Sequence, residues 1–442
     1  MTDYRALADS LATDIAQGRL APGHRLPPQR EFAWSRKIAV STASRVYAEL
    51  VRRGLVTGEV GRGTYVAAPA GEPSAALTEP RGPLVDLEYN FPRVQGQEAL
   101  LAQSISALLR PDVFARAVSP LPAAGTPEAR KAVAHFLSRP AWPIEPDSLL
   151  FSGNGRQALA AAFASACGPG GVIAVEPLTY AVVKGIAARL AITLVPVATD
   201  AHGLRADALA RLHRERKFDA VYLQPTLHNP LGTTMPPRRR REIADLARVE
   251  NLLLIEDGIY SFLSDATPLA ALAPDQVVFI DSLSKRLSPG LTLGMLVVPP
   301  AHLKKMTAAL RSGGWTAQRF ALEAAVRWLT DGTARKITRL KRQDAVKKQA
   351  LARACLKGHV VRGDPASYHL WLELGATWRA ETFVNAAAEQ GVAITAGAAF
   401  AVQPGHVPRA VRLALGGPSP RQLKPALLAL AALLNSPRKK NA

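Results

Sequence analysis

The sequence predicts two unlike parts: a small helical unit closed by a hairpin, and a much larger α/β domain built on a mostly parallel sheet. Three observations carry this. Apolar residues recur at helical spacing through the first fifty positions and give way to a glycine-punctuated hairpin pattern by residue 66. Residues 67–85 are rich in Pro, Ala and Gly and have no periodicity, so they read as a tether. From Asp86 onward, continuous apolar runs alternate with amphipathic stretches, which is how a parallel sheet covered on both faces is written. The expected organisation is 1–66, 67–85 and 86–442.

Composition bounds what these parts do. The chain of 442 residues is 48% hydrophobic and 20% charged, ordinary for a folded protein with a sizeable core. No apolar run approaches the roughly 18–20 residues needed to span a bilayer, and the first residues do not pattern as a signal peptide. Cys167 and Cys355 sit far apart in apolar stretches and are expected to be buried reduced thiols, which fits a cytoplasmic home. No metal site is expected. The 55 basic residues against 35 acidic ones leave a net charge of +20. Such a field attracts polyanions. A generally basic surface is the alternative, and the charge gains weight only beside a DNA-binding motif.

Such a motif is present. Leu7, Ala8, Leu11 and Ile15 share one face of a helix over residues 4–17. Glycine and prolines end it, and a short helix follows with Pro28 near its first turn, where a missing N–H costs nothing. Val40-Ser41 opens a third helix, with Ser41 as its expected N-cap and Val46, Leu50 and Val51 as its buried stripe. Two short strands around a glycine turn over 55–66 make a wing. These residues resemble the GntR family of winged helix-turn-helix regulators: Gly18-Arg19-Leu20, Pro22-Gly23, Arg25-Leu26-Pro27, Arg30-Glu31, Val40-Ser41, Arg53-Gly54-Leu55 and Gly61-x-Gly63-Thr64 all match. Ile38-Ala39 stands where that family commonly has Leu-Gly. The geometry of such domains would put Ser41, Thr42, Ser44 and Arg45 in the major groove of double-stranded operator DNA. Arg45 would then read a guanine edge, while Arg30, Arg62 and Thr64 would hold backbone or minor groove. Arg30 could instead pair with Glu31 or Glu49, and Arg45 could be a solvated surface arginine.

The large domain carries a second constellation. Lys285 lies in Asp281-Ser-Leu-Ser-Lys-Arg-Leu-Ser-Pro-Gly290 after an apolar strand, Asp257 and Tyr260 in Ile255-Glu-Asp-Gly-Ile-Tyr260, Asn229 in His228-Asn-Pro-Leu-Gly232, and Tyr180 after Val175-Glu-Pro-Leu-Thr179. In this order and context they resemble the fold-type I aminotransferases over roughly residues 86–435. The whole chain therefore resembles the MocR subfamily of GntR regulators. That resemblance implies a fold-type I domain with a smaller C-terminal α+β subdomain, and pyridoxal 5′-phosphate as cofactor.

It also implies roles. Lys285 would join the cofactor aldehyde, and for that it needs a dry site that keeps its amine neutral. Asp257 would face the pyridine nitrogen, Tyr260 and Asn229 the ring hydroxyl, and Tyr180 the ring face. Ser282, Ser284, Gly155 and Arg156 would serve the phosphate, the last two from Phe151-Ser-Gly-Asn-Gly-Arg-Gln-Ala-Leu159, where glycines open a helix. Arg412 would take the carboxylate of an effector. The chain departs from the family at Thr292, where an arginine is usual, at Pro120, where a tyrosine is frequent, and in the phosphate loop, whose spacing differs from the usual Gly-x-Gln-x-Ala-Leu; Arg156 could supply there the charge that Thr292 lacks. The resemblance implies a homodimeric regulator whose effector is an amino compound or the cofactor itself. An active aminotransferase with an accessory DNA-binding domain, or a cofactor-free scaffold, are the alternatives. Arg238–Arg241 and Lys336–Lys348 are either extra DNA contacts or solvated helix faces.

Overall fold

The computed structural model describes residues 4–17, 19–20, 24–59, 63–66, 85–290, 292–403 and 408–436. Residues 67–84 of the expected 67–85 tether, the signature positions Gly18, Pro22, Gly23 and Gly61, and the candidate DNA contact Arg62 lie outside them, while Val85, the last residue of that tether, belongs to a short strand that pairs with Val392.

The N-terminal unit has three helices, α1 (Tyr4–Ala16), α2 (Gln29–Ser35) and α3 (Val40–Arg52), and a hairpin of β1 (Val56–Glu59) and β2 (Gly63–Val66). The antiparallel hairpin pairs Val56 with Val66. Ala8, Leu11, Ile15, Phe32, Val46, Tyr47, Leu50 and Val66 form one small core, with the Phe32 and Tyr47 rings edge-to-face at 5.4 Å. The α3 entrance differs from expectation. Ala39 is the N-cap residue, Ser41 lies inside the first turn, and Val51 is only half-buried while Ala43 and Tyr47 take places in the stripe. The reason is that α3 starts two residues earlier than a Ser41 cap would set it, directly after Ala39, which has extended backbone.

The large domain is built on seven strands: β3 (Leu149–Ser152), β4 (Val172–Val175), β5 (Thr193–Pro196), β6 (Ala220–Leu223), β7 (Leu253–Asp257), β8 (Val277–Ser282) and β9 (Gly294–Val297). Their order is β3-β9-β8-β7-β6-β4-β5. All are parallel except β9, which runs antiparallel to both of its neighbours, β3 and β8. The apolar runs are continuous because each face meets its own core. Val221 and Leu223, with Val277 and Phe279, enter one cluster. Ala220 and Tyr222, with Val278 and Ile280, enter the other.

The covering helices used below are α4 (Pro127–Leu137), α5 (Gly155–Ala166), α6 (Ala181–Arg189), α7 (Pro237–Val249), α8 (Leu283–Arg286) and the 23-residue α9 (Thr333–Cys355). A smaller C-terminal subdomain follows. Its antiparallel sheet is ordered β10-β11-β13-β12, from β10 (Val361–Arg362), β11 (His369–Glu373), β12 (Thr395–Ala396) and β13 (Ala410–Ala414). It has its own core, including Leu370, Phe383, Leu413 and Leu427.

Three sequence expectations change here. Cys167 and Cys355 are free, as expected, but half-buried, since each sits at a helix end rather than within a buried stripe. Arg238–Arg241 is not one solvated face. Arg240 is 1% exposed and donates to the Met235, Pro225 and Thr267 carbonyls and to Thr226 Oγ1, which ties α7 to two loops. Lys336–Lys348 is not uniformly solvated either. Lys341 and Lys348 are buried, and Lys341 Nζ donates to the Lys285 and Leu287 carbonyls at 2.9 and 2.8 Å.

Candidate functional site

The C-terminal ends of β6, β7 and β8 converge on a cavity of about 250 Å³ between the sheet and the small subdomain. Such crevices are where open α/β sheets bind ligands. Lys285, Asp257, Tyr260, Asn229, Tyr180, Ser284, Gly155, Arg156 and Arg412 all line it. Ser282 does not. It is buried, caps α8 through the Ser284 N–H, and hydrogen-bonds Ser284 and Thr292 through its hydroxyl, each at 3.1 Å.

Lys285 projects from the short helix α8. Its Nζ donates to the Asn90 carbonyl at 2.6 Å and lies 3.6 Å from the centroid of the Phe91 ring. Burial, reinforced by the Arg156, Arg412 and Lys341 cations, holds this amine well below the usual lysine range. Asp257, 3% exposed at the end of β7, is held from behind. Tyr222 Oη and Gln224 Nε2 donate to its Oδ2 at 2.8 Å each, and the Ile259 N–H donates to Oδ1 at 3.1 Å. Burial raises its carboxyl pKa, and these donors oppose the rise.

Tyr260 is fixed by Asn90, whose Nδ2 donates to the phenol oxygen at 2.9 Å, and by the His369 ring at 5.2 Å. Asn229 donates its N–H to Gln224 Oε1 at 3.1 Å. Tyr180 is the N-cap residue of α6, and burial raises its phenol while a hydrogen bond to Arg156 opposes this. Across the cavity Arg412, on β13 and 6% exposed, donates to Thr395 Oγ1 at 3.0 Å and to the Glu88 carbonyl. Its Nε has no hydrogen-bond partner among the described residues.

The helix α5 opens at this cavity. Asn154 caps it by accepting from the Gln157 N–H at 3.0 Å. The Gly155 and Arg156 N–H groups make no hydrogen bond among the described residues, so two donors at the positive end of the helix remain for an anion. A Cβ on Gly155 would stand 3.2 Å from Ser282 Cβ, and one on Gly294 would fall 2.1 Å from Ser152 Oγ and 2.6 Å from the Asn154 oxygen. Glycine at 294 is what lets β9 approach the α5 cap.

In the N-terminal unit Arg30, Ser41 and Arg45 are exposed, and Thr42 and Thr64 half-buried. Arg30 does not make the alternative pair with Glu49, which is bound by Arg52 and Arg53. Ser44 donates its hydroxyl to Gln29 Oε1 at 2.6 Å, joining α3 to α2. The Thr64 carbonyl accepts from Leu26 at 2.8 Å and anchors the wing.

Comparison with known proteins then decides the family. Residues 83–430 match the aminotransferase class I and II model, and residues 3–66 match the bacterial regulatory protein gntR family model. The HTH-type transcriptional regulator YdeF of Bacillus subtilis is 30% identical, the match covering 98% of this chain and 94% of that one. The chain belongs to the MocR subfamily of GntR regulators. It is a helix-turn-helix transcriptional regulator with an aminotransferase-type domain. The vitamin B6 salvage pathway transcriptional repressor PtsJ of Salmonella typhimurium is 27% identical over 90% of this chain and 91% of its own length. An archaeal alanine:glyoxylate aminotransferase has the same fold, with a TM-score of 0.73 and 24% identity over 79% of this chain and 90% of that one. Among the described residues no helix of the regulator is long and apolar enough to cross a membrane.

Several residues of the site escaped the sequence reading: Asn90, Phe91, Gln224, Thr395 and Phe400, which line the cavity, and Tyr222, which supports Asp257 from behind. Tyr222 and Gln224 had a signal. They alternate along β6 and its continuation, next to the strand that ends in Asp257, so both reach the same carboxylate. Asn90 and Thr395 had none, being brought in from distant parts of the chain.

Proposed function

We propose that the large domain senses pyridoxal 5′-phosphate, alone or together with a carboxylate-bearing amino compound, and that this binding changes how the winged helices engage operator DNA. The convergence of Lys285, Asp257 and Arg412 on one cavity carries the reading. The residues fit the cofactor: a neutral-leaning amine, a buried carboxyl with fixed donors behind it, unpaired helix N–H groups and an Arg412 Nε without a partner. When bound, pyridoxal phosphate supplies an aldehyde that condenses with amines and a pyridine ring that withdraws electrons.

The chain's own part is positioning. Lys285 presents an amine whose burial disfavours the protonated form, and Asp257 is oriented by Tyr222 and Gln224 toward the place of a cationic ring nitrogen. Tyr260 and Asn229 offer hydrogen bonds to a ring oxygen, and Tyr180 offers an aromatic face. Arg412 presents a guanidinium fork that matches a carboxylate. The α5 N-terminus, with Arg156 and Ser284, holds the phosphate in place of the arginine that Thr292 replaces. The name of the PtsJ relative, a repressor of vitamin B6 salvage, supports a cofactor-related effector. Leu109, Phe114 and Val118, exposed by 67, 42 and 63% beside Pro120, support the homodimer, which would bring two winged helices to two half-sites.

The test is titration of the full chain with pyridoxal phosphate, following both visible absorbance and binding to DNA upstream of its gene. Saturable absorbance that shifts the DNA affinity is expected. Absorbance without any DNA effect, together with turnover of amino and keto acids, would transfer the function to the aminotransferase reading. No absorbance at all would leave the domain a scaffold. Arg156→Ala is expected to weaken cofactor binding by about 10–100-fold, the equivalent of a charge-assisted contact of about 1.5–3 kcal/mol. Equal affinities would remove Arg156 from the phosphate site.

DNA recognition makes a separate prediction. Arg45→Ala is expected to lower affinity by about 1–3 kcal/mol and relax preference at one base position. Arg30→Ala is expected to weaken binding evenly across sequences and reduce the salt slope by about 1. Salt titrations of both variants against matched and mutated sites separate the two. Identical behaviour of the two variants would refute the assigned division of labour.

A further inference from the structure

The large domain has a second cavity, of about 300 Å³, lined by Phe136 of α4, Arg286 of α8, and Arg335, Thr338, Arg339 and Arg342 of α9. No residue lines both this cavity and the one around Lys285. We propose that it is a phosphate-binding site, built on the same short helix that carries Lys285.

Charge is the first argument. Four guanidinium groups meet here, against two carboxylates. Arg286, 6% exposed, pairs with the fully buried Asp281 and lies between the Phe136 and Phe262 rings, at 5.1 and 5.2 Å. Arg342 pairs with Asp265 at 3.0 Å and donates to the Phe262 carbonyl at 2.6 Å. Arg335 and Arg339 pair with no carboxylate among the described residues. Arg139 adds to the field, as burial and the charge of Arg286 both lower its pKa.

The second argument is geometric. Residues 335, 339 and 342 follow an i, i+4, i+7 spacing, so they stand on one face of α9. Like charges at that spacing repel, and the protein supplies too few acids to offset them. An anion between them turns the repulsion into attraction. Two polar atoms at this wall, Arg286 Nε and Thr338 Oγ1, are buried without a hydrogen-bond partner among the described residues. Guanidinium forks and a hydroxyl are the donors that phosphate oxygens prefer, and the Phe136 ring adds an apolar wall.

The site has a mechanical link to the first cavity. Arg286 follows Lys285 directly, and Lys341, between Arg339 and Arg342 on α9, clamps the Lys285 and Leu287 carbonyls. A phosphate between α9 and Arg286 therefore presses on the helix that positions Lys285. The phosphate is either that of a free phosphoester or one of the DNA backbone, and the test separates them.

The experiment compares the full chain with an Arg335→Ala/Arg339→Ala variant, two exposed positions whose loss leaves the core intact. Binding of inorganic pyrophosphate is measured by calorimetry at constant ionic strength, with Arg156→Ala as the control for anion held at the α5 N-terminus. DNA affinity is measured against salt for the same proteins. A pyrophosphate affinity at least 10-fold weaker in the double variant, and unchanged in Arg156→Ala, identifies a free phosphoester as the occupant. A salt slope reduced by about 1–2 in the double variant identifies the DNA backbone. Either result supports the site, and both unchanged would overturn it.

Discussion

Lys285→Ala is expected to abolish the visible absorbance that pyridoxal phosphate develops with the wild-type chain. It should also abolish any cofactor-dependent change in DNA affinity, while DNA binding without cofactor stays as it was. The argument is chemical. Only an unprotonated amine joins an aldehyde, and burial plus three neighbouring cations keep Lys285 Nζ far below the usual lysine range. Lys184 is a useful competitor, because burial brings its pKa down to about 8 and its Nζ is engaged by the Ala401 carbonyl at 3.0 Å. It does not line the cavity. If the Lys285→Ala protein kept an absorbance of wild-type intensity and Lys184→Ala lost it, the assignment would move to Lys184.

The second large effect concerns stability. Arg286→Ala removes the ion-pair partner of Asp281, a carboxylate with 0% exposure whose other hydrogen bond among the described residues is from the Ser282 N–H at 2.6 Å. Breaking one side of a buried pair leaves the other charge stranded, at a cost of about 3–5 kcal/mol. The large-domain transition in urea should therefore move to markedly lower denaturant. Asp281→Asn combined with Arg286→Met, which removes both charges, should recover much of the loss, since uncharged groups of similar volume need no partner. A shift below about 1 kcal/mol for Arg286→Ala would mean that water reaches Asp281 and that the pair is not a buried one.

Much of the candidate site was legible because its residues sit at strand ends within distinctive local strings. Lys285 follows a β-branched run and precedes Pro289-Gly290, and Asp257 closes an apolar strand. Those contexts depend only on neighbours in sequence. The places where reading failed share a different cause. Ser282 is expected at the phosphate because it flanks Lys285 together with Ser284, yet as the cap of α8 it stays out of the cavity lining. Ser41 was read as a cap because serine caps helices well, yet the backbone turn comes two residues earlier, at Ala39. In both, a one- or two-residue change in where a helix begins redirects a side chain.

The buried cations make the same point more strongly. Arg240, Lys341 and Lys348 look like members of solvated charge runs, since periodicity cannot tell an exposed charge from one bonded to carbonyls on another element. The sequence by itself determined the two-part architecture, the parallel character of most of the sheet, and the family-specific strings around Lys285 and α3, because these follow from local period and turn chemistry. Only the tertiary structure decided that Asn90 and Thr395 join Lys285 at one cavity, that β9 runs against its neighbours, and that Arg286 and α9 enclose a second cationic cavity. Such contacts join residues far apart in the chain, and their energy depends on burial and partners that no local pattern encodes.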